Sequence, residues 1–487
     1  MAGLRHRNES SDTLSSVQLD VEINPFRRWM LLIGPLLGVL CWLGLYFNDQ
    51  PLSVCWTAAI TVLCAAWWIT EAIPIPATSL IPLALLPLTG VLDRGAVANA
   101  YGHYLILLLM GGFMLSRAME KSGTHEKVAL GIMRLVGANS PRRLILGFMI
   151  ATAAISMWVS NTATTLAMLP VALATLSVLN NPRVAAPLLL GLAFAANIGG
   201  IGTPIGTPPN VVFMGVYDDL VASEAGGELK AWSFAGWMAI GIPVVVVMIP
   251  LTWLWLTRGL SGGEAVALPA RTPWNKAQVR VLIVFSITAL LWIFRAYPYG
   301  GWTALIGVPK GVGDSTVAAL MVVVMFLIPD GRGSRLLDWK SAGSIPWGLL
   351  LLFGGGIALA QGFKASGLSE LIASGLGGVA QMPEILMIFV ICLVVTFLTE
   401  ITSNTAITVL LMPILAATGV AANIDPSKLM IPAAMSASCA FMMPVATAPN
   451  AVVYGTGMIP MRRMNGEGIV LNVIGAAVIT LITTIAL

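Results

Sequence analysis

Ser160-Asn161-Thr162 returns as Ser403-Asn404-Thr405, each time inside a long and otherwise apolar stretch, Leu144–Leu179 and Ile385–Ala422. The offset is 403 − 160 = 243 residues. The same offset, 354 − 111 = 243, relates Gly111-Gly112 after Leu-Leu-Leu-Met to Gly354-Gly355 after Leu-Leu-Leu-Phe. Downstream, Gly206-Thr207-Pro208-Pro209-Asn210 matches Ala446-Thr447-Ala448-Pro449-Asn450, where 446 − 206 = 240. One shared triplet is unremarkable. Three matches in one order at nearly constant spacing mark an internal repeat.

The chain around the repeat is composed for lipid. Of its 487 residues 57% are hydrophobic and only 10% are charged, against about 25% charged in a soluble domain. So few charges cannot cover a water-facing surface. A bilayer crossing takes roughly 17 to 25 apolar residues. Eleven spans are expected, at about 29–47, 52–69, 76–91, 104–118, 187–216, 234–256, 279–293, 315–328, 347–360, 430–457 and 468–487. The polar first thirty residues lack a short apolar run with a cleavage site and read as a cytoplasmic tail. Cys41, Cys55, Cys64, Cys392 and Cys439 are scattered without paired spacing, which predicts buried thiols and no disulfide framework or metal cluster.

Lys and Arg in short loops set the orientation. Arg5, Arg7, Arg27 and Arg28 begin inside, and later basic clusters fall around Arg117–Arg143, Arg258–Lys276, Arg332–Lys340 and Arg462-Arg463. The acidic loop Asp218, Asp219, Glu224 and Glu228 falls outside. This threading holds only if each interrupted stretch returns to the side it entered. Leu144 to Ser160 is sixteen steps, about 24 Å of helix and short of a ~30 Å core, so both stretches are predicted to be re-entrant hairpins. They enter from opposite sides, giving an inverted-topology repeat of the kind that binds substrate at the midplane. The predicted fold is an all-α integral membrane protein of about 11 transmembrane helices plus two re-entrant hairpins. Its expected divisions are a tail (1–28), first scaffold spans and repeat 1 with a cytoplasmic-side hairpin near 144–179 (29–257), a cytoplasmic linker (258–278), and repeat 2 with an outward-side hairpin near 385–422 (279–487). The N-terminus is expected in the cytoplasm and the C-terminus outside the cell membrane.

Ser, Asn and Thr at a hairpin tip supply hydroxyl and amide donors without a fixed positive charge. A broken helix adds unpaired backbone N–H groups and a positive dipole end suited to an anion. Two tips meeting at the midplane can hold the two ends of a dianion. The Thr-Pro-Pro-Asn and Thr-Ala-Pro-Asn segments break two further helices, and their freed carbonyls are hard oxygen ligands for an alkali cation. No basic residue lies within several positions of either triplet, so co-bound cations are the simplest offset to a desolvated dianion. A lone Ser-Asn-Thr in a membrane helix most often just packs or hydrogen-bonds; duplication inside paired broken segments reverses that expectation. The Gly111 and Gly354 motifs read as close-packing devices, and His103 and His125 as loop residues at span ends. Glu71 reads as interfacial, while Glu400 is an intramembrane acid open to a cation or proton role. No catalytic triad, phosphate-binding loop or metal-ligand cluster is present, so no enzyme, cofactor or nucleic-acid partner is expected.

At these residues the chain resembles the divalent anion/sodium symporter family of dicarboxylate, citrate and sulfate carriers. Ala437-Ser438-Cys439-Ala440-Phe441-Met442-Met443-Pro444-Val445-Ala446, with Asn450 and Val452-Val453, looks like the family signature, and Trp68-Ile69-Thr70-Glu71-Ala72-Ile73-Pro74 is also similar. The resemblance implies a homodimer whose first spans form a scaffold, against which a domain carrying both hairpins moves in an elevator-type cycle. It implies substrate contacts from Ser160, Asn161, Thr162, Thr207, Ser403, Asn404, Thr405 and Thr447. It places one sodium near Ser156, Ser160, Asn161 and Gly206, and a second near Thr399, Ser403, Asn404 and Ala446. Ser156 and Thr399 each stand one helical turn before a triplet. Ala448 departs from the family's usual proline, which the first repeat has as Pro208.

The expected function is sodium-coupled import of small dianions, foremost C4 dicarboxylates such as succinate, malate or fumarate, with Na+ as the coupling ion. Sodium-coupled sulfate or citrate transport is a substrate-level alternative. A sodium-independent dicarboxylate exchanger is another, disfavoured because exchangers of this resemblance replace sodium ligands with basic residues, which Ser156 and Thr399 are not.

Overall fold

The computed structural model describes residues 25–179, 181–222, 229–260, 272–295, 300–307, 312–375, 382–422 and 424–487. Arg5 and Arg7 of the tail, Glu224 and Glu228 of the acidic loop, and Arg271 of the linker lie outside the described residues. The chain is all-helical, with no strand among the described residues. Its first half runs α1 (Pro25–Tyr46), α2 (Leu52–Thr70), α3 (Ile75–Thr78), α4 (Ile81–Leu88), α5 (Arg94–Tyr101), α6 (Tyr104–Ser122) and α7 (Thr124–Val136). Two arms follow, α8 (Pro141–Ser156) and α9 (Asn161–Leu179), then a broken helix, α10 (Pro182–Gly200) with α11 (Pro208–Val221), and α12 (Phe234–Thr257). The second half runs α13 (Lys276–Ile293), α14 (Gly301–Leu305), α15 (Asp314–Leu327), α16 (Trp339–Gly343), α17 (Trp347–Ser366) and α18 (Leu368–Gly375). Arms α19 (Glu384–Leu398) and α20 (Asn404–Ala421), a broken helix α21 (Ser427–Ser436) with α22 (Ala448–Tyr454), and α23 (Met461–Ala486) complete it.

Among the described residues, 10 helices are long and apolar enough to cross a membrane. Their outer faces are inverted relative to a soluble protein. Trp29, Leu32, Leu36, Leu40 and Leu43 stand exposed along α1 at helical spacing, as do Ile283, Ile287 and Leu290 on α13. Such stripes suit a hydrocarbon or protein surround and not water. The span expected at 76–91 is interrupted at Ser79-Leu80, because Pro82 has no N–H to give the Thr78 carbonyl, which leaves α3 and α4 as short pieces. His125 is not a loop residue: it is buried in α7, with Nδ1 3.0 Å from the Met119 carbonyl.

At the opposite extreme is α10, buried without interruption from Val184 to Gly200. It packs on both arms of its own half, α8 and α9, and on α12 and α22. In the same way α21 packs on α19, α20, α23 and α11. The arms also cross over, α9 onto α22 and α20 onto α11. Each helix break is thereby enclosed by elements of both halves. The glycine motifs pack as expected: a Cβ on Gly111 would sit 2.6 Å from that of Ala318, and one on Gly354 2.4 Å from the Tyr101 ring.

Candidate functional site

Both breaks are made by proline and held by asparagine. After α10 the chain unwinds through Gly202, Pro204 and Gly206, and α11 restarts with Pro208 and Pro209 in its first turn, where a missing N–H costs nothing. Asn210 Nδ2 then reaches back to the carbonyls of Gly200 (3.0 Å) and Thr203 (2.7 Å). In the second half Asn450 Nδ2 reaches the carbonyls of Ala440 (3.0 Å) and Met443 (3.1 Å), again ten and seven residues back. Thr207 and Thr447 cap the restarted helices at φ −144°, ψ 143° and φ −142°, ψ 150°. The backbone is therefore the same with Ala448 as with Pro208.

The second break has an extra anchor. Glu400 Oε1 accepts from the backbone N–H of Phe441 (2.7 Å) and Met442 (2.9 Å) and from Asn472 Nδ2 (2.7 Å), while Oε2 accepts from Met443 N–H (2.9 Å). Both carboxylate oxygens are engaged and the residue is 3% exposed. Glu400 thus ties the turn between α19 and α20 to the unwound segment. In the first half the corresponding position, 400 − 243, is Met157, whose carbonyl accepts from the Thr203 hydroxyl.

The two tips and two breaks face one cavity of about 770 Å³. Its walls include Ser160, Asn161 and Thr162, Ser403, Asn404 and Thr405, Gly206 to Pro209, and Val445 to Pro449. The N-terminal residues of α9, α11, α20 and α22 all line it, so positive dipole ends converge there, with unpaired N–H groups from the first turns of α9 and α20; Pro208, Pro209 and Pro449 supply none. Two basic side chains stand among the described lining residues, and each is neutralised. Arg27 pairs with Glu71 at 2.9 Å, and Arg117 with Glu120 at 2.5 Å.

Oxygen atoms crowd beside the first tip. Ser156 Oγ lies 2.6 Å from Asn161 Oδ1 and 2.8 Å from the Ala196 carbonyl. One hydroxyl proton serves only one of those acceptors at a time. Gly206 closes the same cluster: a Cβ on it would lie 2.5 Å from the Gly200 oxygen and 2.9 Å from that of Met157. Beside the second tip, Asn404 Oδ1 is buried with no hydrogen-bond partner among the described residues. Thr399 donates to Thr396 O within its own arm (3.0 Å) and is not among the cavity-lining residues.

The family model described as "Citrate transporter" matches residues 65–426. The sodium-dependent dicarboxylate transporter SdcS of Staphylococcus saprophyticus is 41% identical over 93% of this chain and 90% of its own length. SdcS of Staphylococcus aureus is 40% identical over 93% and 89%. The chain belongs to the divalent anion/sodium symporter family. The family is one of transporters, not enzymes. The YdaH transporter of Alcanivorax borkumensis has the related fold, with a TM-score of 0.57 and 14% identity over 82% of this chain and 87% of YdaH.

Within this symporter fold, Asn197 is a cavity residue that the motifs do not disclose. It lines the cavity from α10 and donates to Thr447 Oγ1 (3.0 Å) and Asn450 Oδ1 (3.3 Å), joining the halves. Its counterpart at 197 + 240 is Ala437, so repeat matching passes over it. Asn210 and Asn450 carried a signal, being a matched pair in the break motif. The packing around Gly206 makes a test: Gly206→Ala forces a methyl group to within 3 Å of two carbonyl oxygens. Gly206→Ala is expected to raise half-saturating sodium for uptake at least ~10-fold, about 1.4 kcal/mol. Unchanged sodium dependence would mean that the cluster beside the first tip does not bind the ion.

Proposed function

We propose that this symporter carries small dianions into the cell together with sodium, foremost C4 dicarboxylates such as succinate, malate or fumarate. The observation that carries the reading is the common cavity, where two Ser-Asn-Thr tips and four helix N-termini meet without an unpaired basic side chain among the described lining residues. Dipole ends and neutral donors stabilise a carboxylate at each end, but they leave the net charge uncompensated. Cations beside each tip offset it. Ser156, Ser160, Asn161 and Gly206 hold the first sodium; Ser403, Asn404 and Ala446, with the remaining lone pairs of Thr399, hold the second. Ser160, Asn161, Thr162, Thr207, Ser403, Asn404, Thr405 and Thr447 contact the substrate. The full-length similarity to dicarboxylate transporters named for sodium dependence favours dicarboxylate over citrate or sulfate.

The two halves are read as an inverted repeat with re-entrant hairpins, supported by the matched and crossed packing of arms and broken helices. Sidedness is supported by the meeting of separate basic loops at one end of the molecule. Lys121 pairs with Asp338 at 2.7 Å and donates to the Arg335 carbonyl, and Arg117 donates to the Ser344 carbonyl. Taking that end as cytoplasmic, the mouth beside Arg27 and Arg117 opens inward, with the N-terminus inside and the C-terminus outside. The unit α8–α12 with α19–α23 is the moving body of an elevator-type cycle, on a scaffold that pairs two chains. The test is uptake of labelled succinate by proteoliposomes, with an inward sodium gradient and with potassium alone. Sodium-driven accumulation is expected; equal uptake in potassium would sink the coupling.

A further inference from the structure

The two helix breaks differ at one point. In the second, the Asn197 amide fills the space between Thr447 Oγ1 and Asn450 Oδ1, donating to both. The matching oxygens of the first break are Thr207 Oγ1 and Asn210 Oδ1, and the matching donor position is occupied by Ala437, which has no polar side-chain atom. The adjacent Ser438 brings its hydroxyl to 3.5 Å from Thr207 Oγ1. Asn210 Oδ1 stays buried with no hydrogen-bond partner among the described residues. Asn210, Ser438 and Thr207 are 0%, 1% and 5% exposed. Rotating the Asn210 amide relieves nothing, because its Nδ2 already serves two carbonyls and a swap would set oxygen against oxygen. Thr207 also makes no side-chain bond to its own helix, whereas Thr447 accepts from Asn450 N–H at 3.3 Å.

We propose that Thr207 Oγ1, Asn210 Oδ1 and Ser438 Oγ bind a third monovalent cation, in the position that the Asn197 amide fills in the other half. The proposal rests on the sodium-coupled reading above. The ligands are hard, neutral oxygens, and among the described residues no acidic, His or Cys cluster of three or more stands ready for a divalent metal. Thr207 lines the substrate cavity and Asn210 does not. A cation held between them therefore lies behind the substrate wall and adds positive charge on the side of the dianion away from the mouth.

The test uses full-length protein in proteoliposomes, measuring the sodium-to-succinate coupling ratio from the succinate gradient that nulls net flux against an imposed sodium gradient at zero membrane potential, for the wild type, Ala437→Asn and Ser438→Ala. Ala437→Asn supplies to the first half the amide that the second half has. It is expected to carry one sodium ion fewer per dianion while succinate uptake stays saturable. Ser438→Ala, which removes one oxygen and adds no bulk, covers the case in which asparagine does not pack at the buried Ala437. Its half-saturating sodium is expected to rise about tenfold, with the KM for succinate at saturating sodium held within about twofold. Wild-type coupling ratio and sodium affinity in every variant that folds would overturn the third site and leave the tip sites standing, as they would if a buried water satisfied Asn210. A wild type without sodium-driven uptake would overturn both readings.

Discussion

Succinate uptake falls by about 100-fold or more when Asn161 or Asn404 is replaced by alanine, in protein that still inserts and stays monodisperse. Each asparagine begins a helix that lines the cavity; Asn161 Oδ1 sits beside the Ser156 hydroxyl, and Asn404 Oδ1 is buried without a hydrogen-bond partner among the described residues. Under the proposed mechanism each variant loses a bond to the anion and a ligand to a cation. A hydrogen bond to a charged group is worth about 1.5–3 kcal/mol, and about 2.7 kcal/mol is 100-fold. The two variants separate function from folding in a useful way. Asn161→Ala still leaves Ser156 a partner in the Ala196 carbonyl, so little stability is lost. Asn404 Oδ1 has no partner to lose and is buried at a cost. Asn404→Ala is therefore expected to keep or slightly raise the thermal stability of the ion-free protein while transport disappears. Sodium should stabilise the wild type against heat and the variant much less, since a ligand protects only the state that binds it. Wild-type uptake in both variants would remove the tips from the site.

How much of this was legible beforehand depended on whether a feature was repeated. The triplets, the glycine pairs and a Thr-x-Pro-Asn segment each occur twice in order, and the structure brings both triplets and both breaks to one cavity. The apolar stretches likewise located the helices, because lipid enforces long hydrophobic runs. Features carried by one half alone were harder. Asn197 is one polar residue in an apolar helix, indistinguishable in sequence from a packing asparagine. It became informative only when the second break was seen folding against it. Ala448 looked like a weak point because proline was expected there, yet the cap geometry at Thr447 comes from the Asn450 staple and from Pro449, which the sequence retains. The broken span between Pro74 and Pro87 shows the converse limit. Its hydropathy suits one crossing, but the helix lapses at Ser79-Leu80, where Pro82 has no N–H to give the Thr78 carbonyl.

Glu400 was the one intramembrane acid whose role composition left open between ion binding and structure. Its four hydrogen bonds to the second break support a structural role, and the expected consequence is large. Glu400→Ala strips the acceptor from the N–H groups of Met442 and Met443 and from the Asn472 amide at once, and leaves Phe441 N–H only its 3.3 Å contact to Asn472 Oδ1. A buried donor left unsatisfied costs about 1–3 kcal/mol. Relaxation makes the losses less than additive, but a total of several kcal/mol is expected. Unfolding of a multi-span protein in detergent is usually irreversible, so the measurement is a rate: the half-life of the monodisperse peak at fixed temperature. That half-life should shorten more than for any tip variant, and uptake should vanish with it. Glu400→Gln separates shape from charge. Its amide oxygen still accepts at the Oε1 position, while its N–H₂ faces the Met443 N–H, donor against donor. An intermediate half-life is expected, with sodium dependence close to wild type in the protein that survives, because both Glu400 oxygens are engaged by N–H groups of the second break. A changed sodium stoichiometry in Glu400→Gln at wild-type stability would show instead that the carboxylate belongs to the ion pathway, and that the N–H contacts are incidental.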